Sequence, residues 1–225
     1  MKTLYVICEG PTEQRFVDQV LAPHLFENGF THVPTIRVEF SRRKSLIFRD
    51  GVRKYAPVRR TLLNIMKERP QKDVFFTTML HLYGLPRDFP GKAALKRNPV
   101  NPYPFVKALE KHFAKDIDDK RFIPHLQLHE YETVLFADPS AFAFAFDDCG
   151  DAVAGLKKVA ASFKNIEHIN DGRATAPSKR IVQLLPEYEH RKTDAGVDIA
   201  EFIGLVMMRK KCRHFDEWVT KLEEL

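Results

Sequence analysis

The chain has 225 residues, a length that suits one large domain, or one domain with a smaller appendage, and can bury a sizeable core. Its 44% hydrophobic and 29% charged composition excludes global disorder, and no run of about eighteen apolar residues exists to span a membrane. The formal net charge of +6 favours acidic partners, nucleic acid above all.

Met1-Lys2-Thr3 leads straight into an apolar strand over residues 3–8, without the layout of a signal peptide. The strand stops at Glu9. Gly10 and Pro11 follow, and Glu13 lies near the start of a helix expected from Thr12 to about Asn28. Phe16, Val17, Val20, Leu21 and Leu25 share one face of that helix. In an open α/β sheet, ligands bind at the carboxyl ends of the strands. Glu9 therefore stands where chemistry is expected, with Glu13 about one helical turn further on.

Residues 32–40 alternate in their second half like a half-exposed strand, and Pro34 argues for an edge or a strand start. A basic stretch follows, with Arg42, Arg43, Lys44, Arg49, Arg53, Lys54, Arg59 and Arg60 opposed only by Asp50. It reads as a nucleic-acid contact or as a solvated face. Phe48 and Tyr55 interleave with the charges and could stack on bases. Val52 to Lys67 reads as a helix that Pro57 either kinks or begins.

Residues 73–80 form the next buried strand, with His81 at its end. The long loop 84–102, rich in Gly and Pro, is of a length that is often functional. Tyr103 to about Lys115 reads as a helix, and Phe122 to His129 as a strand ending at Glu130-Tyr131-Glu132. Helical segments then begin at Pro139, Asp151, Pro177, Asp198 and His214, while Ala141–Phe146 is ambiguous between strand and helix. Alternating strands and helices predict an α/β fold with a mostly parallel sheet flanked by helices. Residues 1–136 form its core, and residues 137–225 a helical C-terminal cap.

Parallel neighbours bring Glu9, His81, Glu130 and Glu132 to one rim of the sheet. Clustered carboxylates repel unless a proton or a divalent cation sits among them. A magnesium or manganese site built from Glu9, Glu13, Glu130 and Glu132 for phosphate-ester chemistry is the economical reading. The alternative is that these acids merely cap or open helices. No phosphate-binding glycine loop, nucleophile elbow or His-Glu-x-x-His pair is present. Cys8, Cys149 and Cys212 are too far apart for a zinc pattern or disulfide framework, which points to a reducing cytoplasm. Arg209, Lys210, Lys211 and Arg213 form a second basic cluster.

Cys8-Glu9-Gly10-Pro11-Thr12-Glu13 resembles the opening motif of Toprim domains, the fold of topoisomerases, primases and OLD-family nucleases. Nearly end to end, the chain is similar to a Toprim-like bacterial family, "domain of unknown function 4276". The resemblance continues through Thr77-Thr78-Met79, Leu82-Tyr83-Gly84-Leu85-Pro86, Asp88-Phe89-Pro90-Gly91 and His129-Glu130-Tyr131-Glu132. It ends with Ala176-Pro177-Ser178-Lys179-Arg180 and Lys211-Cys212-Arg213-His214-Phe215 with Trp218.

What the resemblance implies is a metal-dependent nuclease with Glu9, Glu13, Glu130 and Glu132 around Mg2+ or Mn2+. It further implies the effector role of PARIS-type anti-phage defence, in which an ABC/AAA-type ATPase holds back a nuclease that cleaves tRNA. RNA is then the expected substrate ahead of DNA, and Arg42, Arg43, Lys44, Arg49, Arg53 and Lys54 its backbone contacts. One position departs from the pattern. Where the family carries Asp, directly before the x-Tyr-Gly segment, this chain has His81. A neutral imidazole supplies nitrogen and no charge, so the exchange weakens magnesium binding. His81 could serve a softer metal or act as a catalytic ligand or base. Otherwise the chain has lost catalysis and keeps only binding to nucleic acid or to the ATPase. The helical cap could also support a homodimer.

Overall fold

The computed structural model describes residues 1–38, 54–98, 100–169, 172 and 174–225. The first strand, β1 (Lys2–Cys8), is parallel to every strand it pairs with. One flank holds β2 (Phe30–His32) and β3 (Thr35–Arg37), and the other holds β4 (Val74–His81). Beyond β4 lie β5 (Phe122–Ile123) and β6 (Leu126–Gln127), again parallel. Among the described residues the sheet is therefore wholly parallel. Prolines set its edges. Pro34 splits one expected strand into β2 and β3, and Pro124 splits another into β5 and β6, because neither can donate to a ladder.

Side chains of β1 and β4 alternate between two cores. On one side Ile7, Phe76 and Leu80 pack against α3 (Ala56–Glu68) and α4 (Tyr103–Ile117). Pro57 begins α3 and does not kink it. On the other side Leu4, Val6 and Met79 share one apolar core with the N-terminal helix and the C-terminal helices. That N-terminal helix runs as α1 (Pro11–Phe16), a π-helical turn (Val17–Leu21) and α2 (Ala22–Glu27). The widened turn falls just before Pro23, where a regular turn would clash with the proline ring.

The C-terminal region holds a 3-10 segment (Tyr131–Ala137), a short 3-10 turn (Pro139–Ala141) and α5 (Phe142–Ala145). It continues with α6 (Gly150–Ala161), α7 (Pro177–Leu184), α8 (Tyr188–Ile203), α9 (Leu205–Lys211) and α10 (Arg213–Glu223). The ambiguous Ala-Phe run is thus helical. Helix α8 begins ten residues before the expected start at Asp198, because its first turns are polar and carry no apolar period. It lies along α1, where Arg15 pairs with Asp194 and Asp198. No described helix is long and apolar enough to cross a membrane.

A candidate carboxylate–histidine site

Strand β4 runs one residue further than its apolar pattern, so His81 sits on the sheet's carboxyl rim beside Glu9, which follows β1. The Glu9 carboxylate turns across the rim and accepts the His81 backbone N–H at 2.8 Å. Glu13 reaches the same place from the first turn of α1. Gly10 makes this possible, since a Cβ there would lie 3.0 Å from Glu13 Oε2. His81 Nε2 then lies 3.0 Å from Glu13 Oε1, and Nδ1 lies 3.9 Å from Glu9 Oε2. The Glu13 side chain is 4% exposed and that of His81 19%, so solvent screens this pair weakly.

Glu130 and Glu132 enter from the turn after β6. His129 takes a left-handed backbone (φ 63°) there, an uncommon conformation for a residue with a side chain. Glu130 Oε2 accepts the Ser178 N–H at 2.9 Å, at the start of α7. Pro177 opens that helix, whose free N–H groups and positive end favour a carboxylate. Glu132 is buried, and so is Tyr188, whose phenol is pushed up by burial and by the nearby charge of Glu132.

Electrostatics divide these groups into two states. Burial alone would depress the His81 imidazolium, but Glu13 and Glu9 overcome it and raise its pKa to about 10. Burial also pushes Glu13 up, yet His81 and its hydrogen bond hold that carboxyl below the usual range. Glu9 stays raised, chiefly by burial, against the opposing pull of His81. Glu132 is lifted to about 7 by burial and by Glu130. At neutral pH the site thus holds an imidazolium–carboxylate pair next to a carboxyl poised between its two forms.

His81 Nε2 also lies 3.1 Å from the Tyr131 backbone nitrogen. One ring nitrogen cannot accept that N–H and donate to Glu13 at once. With two carboxylates favouring the charged ring, Nε2–H points at Glu13.

A family model described as "Domain of unknown function (DUF4276)" matches residues 8–223. The chain belongs to this family. No curated protein and no solved structure matches it.

In this DUF4276 chain the five residues expected at the rim, Glu9, Glu13, His81, Glu130 and Glu132, are brought together. Between Glu9 and Glu13 a hard divalent cation does not fit the present arrangement. The position between Glu9 and Glu13 is taken by an imidazole that carries its own positive charge. The basic stretch from Arg42, Arg43 and Lys44 to Arg49 and Arg53, with Phe48, lies outside the described residues. Lys54 is exposed just before α3. Tyr55 is a correction: it is 7% exposed, donates its hydroxyl to Asp116 Oδ2 at 2.6 Å, and packs edge-on against Phe89 and Phe113. It is a core residue and cannot stack on bases. The second basic cluster also divides, since Arg209 is held by Asp216 and Glu223 and Arg213 by Glu217.

Sequence reasoning missed the Ser178 N–H and Tyr188 as neighbours of the acids. Their signals were a Pro at a helix start, forty-odd residues from Glu130, and the Ala176-Pro177-Ser178-Lys179-Arg180 motif, which carries the resemblance without pointing to the acids.

Proposed function

We propose that this chain is a Toprim-like module of a bacterial anti-phage system that binds RNA or a partner ATPase of the ABC/AAA type and no longer cleaves. The observation carrying this reading is the His81–Glu13 contact of 3.0 Å, with an imidazolium in the place where a cation would bridge the carboxylates. The Toprim likeness and the defence setting come from the motifs, and a cytoplasmic location accompanies them. The experiment is metal calorimetry and tRNA cleavage with the wild-type chain and His81→Asp. We expect no cleavage and no tight Mg2+ or Mn2+ binding by the wild type, and recovered metal binding in His81→Asp. Cleavage of tRNA by the wild type that disappears in Glu9→Ala would overturn it.

A second reading, a metal-dependent nuclease, draws on a separate observation. One imidazolium faces four carboxyl groups, and Glu132 is held to about 7 with Glu130 beside it. The residual acidity of the rim favours a further cation, and the same Glu9→Ala comparison decides between the readings.

A further inference from the structure

A second cluster of ligating side chains lies across β6 from the rim, assembled from three separate segments. Glu110 projects from α4, His125 sits between β5 and β6, and His214 lies in the first turn of α10. All three are buried, and each offers one ligand atom within 4.8 Å of the other two. His214 Nε2 is 2.9 Å from Glu110 Oε1, and His125 Nδ1 is 3.8 Å from the same oxygen.

Two ring nitrogens of this group, His125 Nδ1 and His214 Nδ1, have no hydrogen-bond partner among the described residues. His125 is 1% exposed and its Nε2 lies 3.4 Å from Gln127 Oε1, while Gln127 Nε2 has no partner among the described residues, so either end of that amide can face the ring. Its Nδ1 stands 3.8 Å from the Glu110 carboxylate, beyond hydrogen-bond reach, with no hydrogen-bond partner among the described residues. A buried ring nitrogen left unpaired beside a carboxylate is costly, and a cation held between the two would satisfy both. The proton shared by His214 and Glu110 does not reach His125 Nδ1.

We propose that Glu110, His125 and His214 bind a divalent cation of the zinc class. Two imidazole nitrogens and one carboxylate oxygen suit zinc or cobalt and disfavour magnesium. The surroundings supply what such a site needs. Gln127 orients the far nitrogen of His125, and the Leu126 N–H holds Glu110 Oε1 at 2.9 Å. Glu110 also lines an open cleft with Lys107, Lys111, Ile123 and Lys221, so one of the three ligands borders a surface opening. The His125 and His214 rings are stacked at 5.1 Å with an interplanar angle of 24°. A metal lies in the plane of each ring that binds it, so loading turns His214 out of this stack.

Trp218, the only tryptophan in the chain, stacks on His125 at 4.1 Å and reports the event. Protein stripped with a chelator is titrated with Co2+ and then Zn2+, following tryptophan fluorescence and cobalt visible absorption. We expect one equivalent of Co2+ to bind below about 10 µM, to be displaced by Zn2+, and to be retained in Glu9→Ala. His125→Ala and Glu110→Gln, checked for folding by circular dichroism, should each weaken binding by about 100-fold or more. The absence of saturable binding to the wild-type chain overturns the site, whatever the variants do. So does binding that survives in His125→Ala and disappears in Glu9→Ala, which would place the ion on the rim.

Discussion

His81 Nε2 and Glu13 Oε1 meet at 3.0 Å on the carboxyl rim of the sheet, joining the end of β4 to the first turn of α1. The pair is buried enough that its partners fix each other's charge. Desolvation offsets much of the Coulomb attraction in such a pair, so its presence is weak evidence for stability. Its consequence is positional: the ring is drawn into the space between Glu9 and Glu13.

The first prediction concerns that charge. In Glu13→Gln the His81 pKa should fall well below about 10, and by more than in Glu9→Gln, because Glu13 is its stronger partner. Proton NMR of the His81 ring across pH reads this directly. The stability sign follows from the raised value. The contribution of His81 is fully present below its unfolded pKa of about 6.5 and is lost as pH rises through about 10. Wild type should therefore lose more stability than Glu13→Gln between those limits. A His81 pKa near 6.5 in the wild type would dismiss the imidazolium.

A second prediction isolates Glu132. Its folded pKa of about 7 exceeds the ordinary 4.5, so the fold favours the protonated carboxyl. Ionisation thus costs stability progressively as pH rises from 4.5 to about 7. Glu132→Gln mimics the neutral form. It should be close to neutral near pH 4.5 and stabilising above pH 7, by up to about 3 kcal/mol. Urea denaturation at the two pH values checks it. Equal effects at both would show that the carboxyl is not strained by ionisation.

How far the chain could be read from its residues depended on how local each signal was. The apolar runs of β1 and β4 and the acid after β1 mark themselves within a few residues, so the rim and its members were legible. Pro34 and Pro124 break strands in ways the same rules describe, yet the apolar character around Pro124 hid the break. Tyr55 sits among basic residues and looks exposed, but Asp116, Phe89 and Phe113 draw it inward from distant segments. The start of α8 was invisible because, after the buried Tyr188, residues 189–194 are polar, and its other buried positions cluster from Ala195 onward. Glu110, His125 and His214 share no motif spacing, and only the packing of α4 and α10 against β5 and β6 brings them together.

The last prediction tests how α10 is anchored. Glu167 is fully buried, and its carboxylate accepts the His214 N–H at 2.9 Å and the Phe215 N–H at 3.1 Å. The Tyr103 hydroxyl donates to it at 2.9 Å. Burial pushes this carboxyl up, while those donors pull it back only in part. Glu167 thus closes the first turn of α10 from a remote segment, doing for backbone N–H groups what a local cap residue does elsewhere. Removing it leaves buried donors without an acceptor. Glu167→Ala should therefore cost about 3–5 kcal/mol. Glu167→Gln keeps one acceptor oxygen but turns an amide N–H toward another donor, and should cost about 1–3 kcal/mol. Urea midpoints with unchanged slopes measure both. A loss in Glu167→Ala of under about 0.5 kcal/mol, the range of ordinary surface changes, would mean that α10 is held by its apolar face alone.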